Sequence, residues 1–141
     1  DALKALSDIL KSVFSPLPPQ VAVYQKLAQT VRILAAHGNV VLVGRASNVI
    51  TREMKGGYHV HLVAPMDVKV QNVMKFKNVP KKEAEKLVID NTARRENYIT
   101  EYVRFDVRDP HNYDLVINLG SNSPDAAVRL IIEGMKAKAV R

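Results

Sequence analysis

A glycine–arginine pair at the end of a β-branched run is the feature of the sequence best suited to bind an anion. The run covers residues 40–43, and Gly44 and Arg45 follow it directly. Such a run is typical of a buried parallel strand, and ligands of open α/β sheets bind just beyond the carboxyl ends of such strands. A guanidinium offers paired donors that match phosphate or carboxylate oxygens. The pattern predicts anion binding at Arg45, or else a bridge from Arg45 to neighbouring loop carboxylates.

Other side chains that carry chemistry form weaker patterns. His59 and His61 alternate within a second β-branched run, so in a strand both rings would lie on one face. The sequence places no third ligand near them, and the chain contains no cysteine, so we predict no metal site. A phosphate loop of the Gly-x-x-x-x-Gly-Lys-Ser/Thr type does not occur in the 141 residues.

Helical and strand-like segments alternate along the chain and would position these residues. Besides residues 40–43, two β-branched runs predict strands, at residues 59–63 and 114–118. Gly38 is suited to follow the end of one helix and Ser123 to cap the start of another. The strands lie too far apart in sequence for hairpins, so we predict an α/β fold with a mainly parallel sheet and flanking helices. Apolar spacing predicts the helices, over residues 2–13, 20–36, 46–53, 65–76 and 81–103 and from residue 124 onward.

The composition indicates one soluble globular domain that favours acidic ligands. Of its residues, 47% are hydrophobic and 25% are charged, and the formal net charge is +7. This charge favours nucleotides, phosphates or nucleic acid. A cluster of lysines without interleaved aromatic residues fits a solvated helix face better than a nucleic-acid footprint, so we expect no nucleic-acid partner. The cluster comprises Lys75, Lys77, Lys81, Lys82 and Lys86.

The same composition bounds the location of the protein. No apolar run approaches the roughly 20 residues of a membrane helix, so we predict no membrane association. The absence of cysteine suits a reducing compartment, and we predict a cytoplasmic location. The first residue is Asp1 rather than methionine, so we expect further sequence upstream.

Several short motifs, taken in their order and spacing, resemble those of the cytidylate kinase-like family, which are relatives of the bacterial nucleoside-monophosphate kinases of the P-loop class. The resemblance extends over residues 25–132, about three quarters of the chain. No single motif is specific to this family, but the order and spacing of the motifs together are. The matching segments are residues 34–45, 59–65, 83–86, 95 with 98–99, 109–110, 113–118 and 123–127.

The resemblance implies a P-loop kinase-like core that lacks its first strand and its phosphate loop. On this basis we predict a single domain over residues 1–141, with a helical lead-in (1–38), a kinase-like α/β core (39–132) and a lid-like helical segment (81–103). The implied reaction moves the γ-phosphoryl group of ATP, with Mg²⁺, onto a nucleoside monophosphate such as CMP. It needs a glycine-rich loop and several positive side chains to stabilise the shifting phosphate charge.

Five residues of this chain match functional positions of the family. Gly44 and Arg45 match its acceptor-binding glycine–arginine motif. Arg95 matches an arginine of the lid, and Lys69 takes the place of a second arginine, so both are implied to act in catalysis. Asn118 matches the polar residue that ends the last strand near the acceptor base or the adenine. A solvated helix residue at Arg95 and a strand-end cap at Asn118 are the alternative interpretations.

Departures from the family pattern leave two hypotheses open. Lys69 stands where the family usually has arginine, and it keeps the positive charge but lacks the forked guanidinium that binds two oxygens. The family also usually has arginine at the position of His61, an acidic residue at that of Thr92 and, in closer relatives, aspartate at that of Ala46. Loss of one charge-stabilising donor typically costs about 10²–10³ in rate. The chain is therefore either a kinase portion that needs an upstream phosphate loop, or a degenerate module that binds a nucleotide or protein partner without turnover. On its own it is predicted to be inactive.

A thin sheet also implies a partner for its edge. Three parallel strands without the phosphate-loop strand would leave one edge uncovered. We therefore predict that the chain pairs with a second copy of itself or with a segment that covers that edge.

Overall fold

Helices make up most of the chain, and two short parallel strands form its sheet. The computed structural model describes Lys4, residues 20–102 and residues 105–139. These belong to two compact units, Asp1–Gly57 and Tyr58–Arg141. The helix predicted over residues 2–13 lies outside the described residues except for Lys4. The predicted single domain, with its lead-in, core and lid-like segment, stays a prediction.

The first unit is built on one long helix. Helix α1 (Gln20–His37) ends where predicted, because Gly38 adopts a left-handed φ of 75° and its amide donates to the carbonyls of Leu34 and Ala35. A short helix, α2 (Ser47–Thr51), follows. A small apolar cluster joins the two helices, formed by Ala28, Val31 and Ile50 with Leu27 and Leu42 packed against them.

The strand predicted over residues 40–43 is wrong. Leu42 packs against the apolar cluster of the first unit, while Val41 and Val43 are each 88% exposed. The segment is not part of any sheet in the described residues, whose only strands lie in the second unit. A β-branched run becomes a strand only when a neighbouring strand pairs with it, and this one packs a single side chain on a helix instead.

The second unit contains a parallel two-stranded sheet. Strand β1 (Val60–Val63) pairs with β2 (Leu115–Asn118), in the register Val60 to Leu115 through Val63 to Asn118. The two strands and their parallel arrangement confirm the prediction for the second and third runs. The described residues thus form a helix-rich α/β structure with two strands rather than three, and a P-loop kinase-like core stays a prediction.

Two helices that pack on each other lie between the two strands in sequence. Helix α3 (Met66–Lys77) begins directly after Pro65, and α4 (Lys81–Tyr102) follows a turn in which Asn78 adopts a left-handed φ of 53°. Both helices match the predicted segments within a residue at each described end. Val70, Ala84 and Val88 form the buried cluster between them, with Val73, Met74 and Val79 packed around it.

The last helix closes the unit against the sheet. Helix α5 (Pro124–Ala139) is capped by Ser123, whose Oγ accepts a hydrogen bond from the Ala126 amide at 3.2 Å, as predicted. Near its end, Gly134 lies so close to the Tyr58 ring that a Cβ on it would be 2.8 Å from Tyr58 Cζ. Among the described residues, no helix is long and apolar enough to span a membrane.

Candidate functional site

Two positively charged side chains, Lys69 and Arg95, act on the imidazole of His61 in β1. His61 lies in β1, Lys69 in the first turn of α3 and Arg95 in the second half of α4. Burial lowers the pKa of His61, and the charges of Arg95 and then Lys69 lower it further. Lys69 and Arg95, which match the family separately, thus both act electrostatically on the same imidazole. We call His61, Lys69 and Arg95 the cationic cluster.

The helix pair explains how this cluster is positioned. Lys69 directly precedes Val70 in the sequence, and Val70 is buried in the apolar cluster between α3 and α4. Arg95 follows the buried Val88 by seven residues, or about two helical turns, and so lies on the same side of α4. Only Ala64 and Pro65 separate the end of β1 from the start of α3, so the first turn of α3 lies at the carboxyl end of the strand. Lys69 is half-buried and Arg95 is exposed.

A stacked aromatic pair fixes the orientation of His61. Its ring lies parallel to that of Tyr113, with centroids 4.6 Å apart and 15° between the planes. Tyr113 is itself held in place, since its hydroxyl donates to the carbonyl of Val107 at 3.1 Å. An offset stack of this kind constrains the imidazole through its face and leaves the ring edge for polar contacts.

Asn118 ends β2 and organises the turn that follows. Its Oδ1 accepts a hydrogen bond from the Gly120 amide at 2.8 Å, and its carbonyl accepts from the Asn122 side chain at 2.9 Å. This confirms the strand-end cap, while its role in substrate binding stays a prediction. In the sheet register Asn118 pairs with Val63, two residues after His61, so Asn118 and His61 lie on one face of the sheet.

Gly44 and Arg45 form a tight turn in the first unit. Gly44, Arg45 and Ala46 all have left-handed φ values, of 73°, 55° and 54°. The Ser47 amide closes the turn by donating to the Gly44 carbonyl at 3.0 Å, and Ala46 is buried. Arg45 is exposed and forms no ion pair with any described residue, so the bridge to loop carboxylates does not occur within that part of the chain.

His59 belongs to a different group of charges, before the start of β1. Its amide donates to Asp114 Oδ2 at 2.7 Å, and Lys138 Nζ donates to Asp114 Oδ1 at the same distance. Partial burial raises the pKa of Asp114. The hydrogen bonds from the Lys138 side chain and the His59 amide, together with the charges of the Lys138 and His59 side chains, outweigh this effect and lower the pKa overall. His59 therefore contacts Asp114, the carboxylate that pairs with Lys138, and does not form a joint site with His61.

The described residues offer cations for a phosphate but no set of ligands for a metal. Mg²⁺ is usually held by one or two carboxylates together with substrate phosphates. Within the described part of the chain, no three histidine or acidic side chains are grouped so that they could hold a metal ion. We therefore assign no residue to Mg²⁺.

The sequence did not identify His61 and Tyr113 as members of the site. The family resemblance presents His61 as the loss of an arginine, and Tyr113 only as part of a matching segment. The available signal was the position of His61, two residues before the end of β1 on the face that Asn118 shares. Their stacking depends on the pairing of two strands that are far apart in sequence, so local patterns do not reveal it.

Comparison with known proteins identifies relatives of this chain. A family model described as the cytidylate kinase-like family matches residues 4–121. A cytidylate kinase of Methanocaldococcus jannaschii is 32% identical over 87 residues, which are 60% of this chain and 49% of that protein. A uronate isomerase of Corynebacterium glutamicum is 31% identical over 94 residues, 66% of this chain but only 18% of that protein. The chain thus spans about half the length of the first of these relatives and less of the second.

The fold also has a counterpart among solved structures. The crystal structure of an uncharacterized protein from Eubacterium ventriosum matches with a TM-score of 0.76. The match covers 88% of this chain and 70% of that one, at 21% sequence identity. At this identity the similarity shows a shared fold and nothing about activity.

Proposed function

The chain belongs to the cytidylate kinase-like family, and on that premise we propose that it takes part in phosphoryl transfer from ATP to a nucleoside monophosphate such as CMP. The observation that supports this proposal most directly is the cationic cluster near the carboxyl end of β1. Two of its members, Lys69 and Arg95, match catalytic positions of the family. The M. jannaschii relative, a cytidylate kinase, agrees with the acceptor class.

Lys69 and Arg95 supply the positive charge that the reaction requires. During transfer, charge shifts among the oxygens of the moving phosphoryl group, and fixed cations near those oxygens stabilise the transition state. Arg95 presents a planar fork that can bind two oxygens at once, whereas Lys69 acts as a point charge. Helix α4, which carries Arg95, corresponds to the lid-like segment in this proposal.

Acceptor binding is proposed for residues of each unit, taken separately. In the first unit, the turn at Gly44 presents the exposed Arg45 for a phosphate or carboxylate group. In the second unit, Asn118 uses its Oδ1 to hold the turn, and its Nδ2 is proposed to donate to the base. These roles are assigned to each residue separately.

The donor side requires parts that the 141 residues do not contain. ATP would arrive with Mg²⁺, which neutralises phosphate charge when it is bound, and a glycine-rich loop would hold its phosphates. No such loop is present in the sequence, so the chain by itself is proposed to bind nucleotides without turning them over. ATP and nucleoside monophosphates are the proposed partners, in the cytoplasm, and self-pairing through the sheet edge stays part of the proposal.

Calorimetric titration tests the binding part of this proposal. The full chain is titrated with CMP, dCMP, AMP, UMP and ATP, each with Mg²⁺. Arg95→Ala should weaken binding of the preferred nucleotide by about 10- to 100-fold, because a hydrogen bond to a charged group contributes about 1.5–3 kcal/mol. Arg94→Ala is the matched control, because Arg94 is the exposed neighbour on the same helix and should bind as the wild type does.

The catalytic part requires the natural upstream sequence. The longer protein is expected to phosphorylate CMP or a related acceptor with ATP, and Lys69→Ala and Arg45→Ala should each reduce that rate. Equal loss in the Arg94 and Arg95 variants, or a longer protein with a phosphate loop that binds nucleotides and transfers nothing, would argue against the assigned roles.

A further inference from the structure

The turn that joins α3 to α4 presents a large apolar ring among lysines. Residues 75–82 contain four lysines, no arginine and no acidic residue, and Phe76 lies between two of these lysines. Phe76 is 88% exposed, and all four lysines are exposed. The sequence predicts a solvated helix face here, but such a face does not account for an apolar ring left in water. We call the five residues the basic tip: Lys75, Phe76, Lys77, Lys81 and Lys82.

We propose that the basic tip docks on an anionic lipid surface, where the ring of Phe76 enters the apolar layer and the lysines contact the headgroups. Docking at a membrane surface needs no spanning helix. The inference therefore revises the prediction from the sequence that the chain has no membrane partner. It goes beyond the proposed function and does not depend on it, because no residue of the basic tip is assigned to nucleotide binding.

The stability of the fold does not explain the lysines. Lys75 and Lys77 lie in the last turn of α3, where a cation interacts favourably with the helix dipole. Lys81 and Lys82 begin α4, where the dipole disfavours a cation. Among the described residues only Lys81 has an acidic partner, Glu85 at 3.8 Å, and the other three lysines form no ion pair. Only three residues separate the helices, so positive charge that no acidic residue balances collects at one end of the pair.

The packing of the helix pair leaves Phe76 outside the apolar core. Met74 and Val79, on either side of it in the sequence, pack against the buried cluster between α3 and α4. Phe76 is not part of that cluster, and Asn78 ends α3 with a left-handed φ of 53°. The ring therefore lies at the end of the helix pair, where it can leave water only by contact with another molecule.

The side-chain types favour a lipid surface over a nucleic acid. Single-stranded nucleic acids are typically bound by several aromatic side chains, on which successive bases stack. The basic tip has a single aromatic ring. Lysine is a flexible point charge that lacks the fork of arginine, and clusters of four or more basic residues are attracted to the diffuse charge of anionic lipids. Transfer of the ring from water to an apolar layer adds to this attraction.

A tryptophan at position 76 reports the insertion directly, because the chain contains no other tryptophan. The full chain with Phe76→Trp is titrated with vesicles of phosphatidylcholine alone, and with vesicles of phosphatidylcholine and phosphatidylserine in equal parts. The emission should shift to the blue only with the anionic vesicles, as the indole leaves water. Added salt should weaken binding, because it screens the lysines.

Co-sedimentation with the anionic vesicles measures the affinity. Phe76→Ala should weaken binding by about tenfold or more, whereas Phe76→Leu should bind about as the wild type does, because leucine also gains from leaving water. Lys77→Gln combined with Lys82→Gln should weaken binding about 25-fold, or about fivefold for each lysine. Lys55→Gln combined with Lys136→Gln is the matched control. It removes the same charge from exposed positions outside the basic tip and should change the affinity little.

The outcomes decide between the partners. Absence of binding to anionic vesicles overturns the inference, and so does binding that is equal in Phe76→Ala and the wild type or equal in the two lysine pairs. Binding of a mixed-sequence single-stranded oligonucleotide that Phe76→Leu abolishes, without binding to vesicles, overturns it in favour of a nucleic acid. Circular dichroism checks that each variant is folded. Nucleotide titrations of the variants should match the wild type, so failure of this inference leaves the proposed function standing.

Discussion

Replacement of Gly134 by alanine is expected to destabilise the second unit, although alanine is the better helix former. In the interior of an exposed helix this change usually adds about 1 kcal/mol of stability. Here the new Cβ would lie 2.8 Å from Tyr58 Cζ and closer still to the hydroxyl oxygen, so the ring or the helix must shift. Overpacking of this kind costs about 1–3 kcal/mol. The net change should be a loss of up to about 2 kcal/mol, obtained by subtracting the helix-propensity gain from the overpacking cost.

A double-mutant cycle isolates the contact. Urea unfolding followed by circular dichroism is measured for the wild type, Gly134→Ala, Tyr58→Ala and the double variant. Without the ring of Tyr58, the same alanine should stabilise the protein by about 1 kcal/mol, as in an open helix. The coupling between the two positions should then be about 1–3 kcal/mol. If Gly134→Ala stabilises both backgrounds equally, the close packing of α5 on Tyr58 is wrong.

Three further predictions concern residues at the ends of the sheet. Partial burial raises the pKa of Asp114, but the Lys138 hydrogen bonds help to lower it overall. These hydrogen bonds therefore stabilise the fold at any pH above the pKa of Asp114 in the unfolded chain. The stabilisation is lost as the pH falls through the pKa of Asp114 in the folded chain. Lys138→Met should therefore lose about 0.5–1 kcal/mol near neutral pH and almost nothing in strong acid, and urea titrations that show the same loss at both would contradict this. Asn118→Ala should lose about 1 kcal/mol with the Gly120 hydrogen bond. Asn118→Asp should keep the turn but bind CMP more weakly, and unchanged CMP affinity in calorimetry would remove the proposed Nδ2 donor.

Local signals in the sequence predicted most of the helices. Gly38 ends α1 and Ser123 caps α5 as expected, because a left-handed residue or a capping hydroxyl acts within one turn of the helix. The run at residues 40–43 carries an equally clear local signal and is still not a strand. Strand formation depends on a neighbour that local sequence does not specify, and this run packs Leu42 against a helix instead.

The candidate site was predictable in its residue types but not in its arrangement. Spacing that resembles the family points to Lys69 and Arg95, and the charges of both lower the pKa of the same imidazole, that of His61. The stack of His61 on Tyr113 was not predictable, since it requires the register of β1 and β2. Residues that meet through tertiary pairing leave no periodic signal in either strand.

The parallel pairing of β1 with β2 has a consequence for the order in which the protein folds. The two strands are separated by the whole of α3 and α4, and closing so long a loop costs chain entropy before any pairing is gained. The helix pair forms mainly local contacts and can assemble first, which brings the strand ends together. Lys69 and Arg95 would then be in place early, and His61 would join them only when the sheet closes. A ligand that binds only once the sheet has closed therefore stabilises the completely folded chain over partly folded forms.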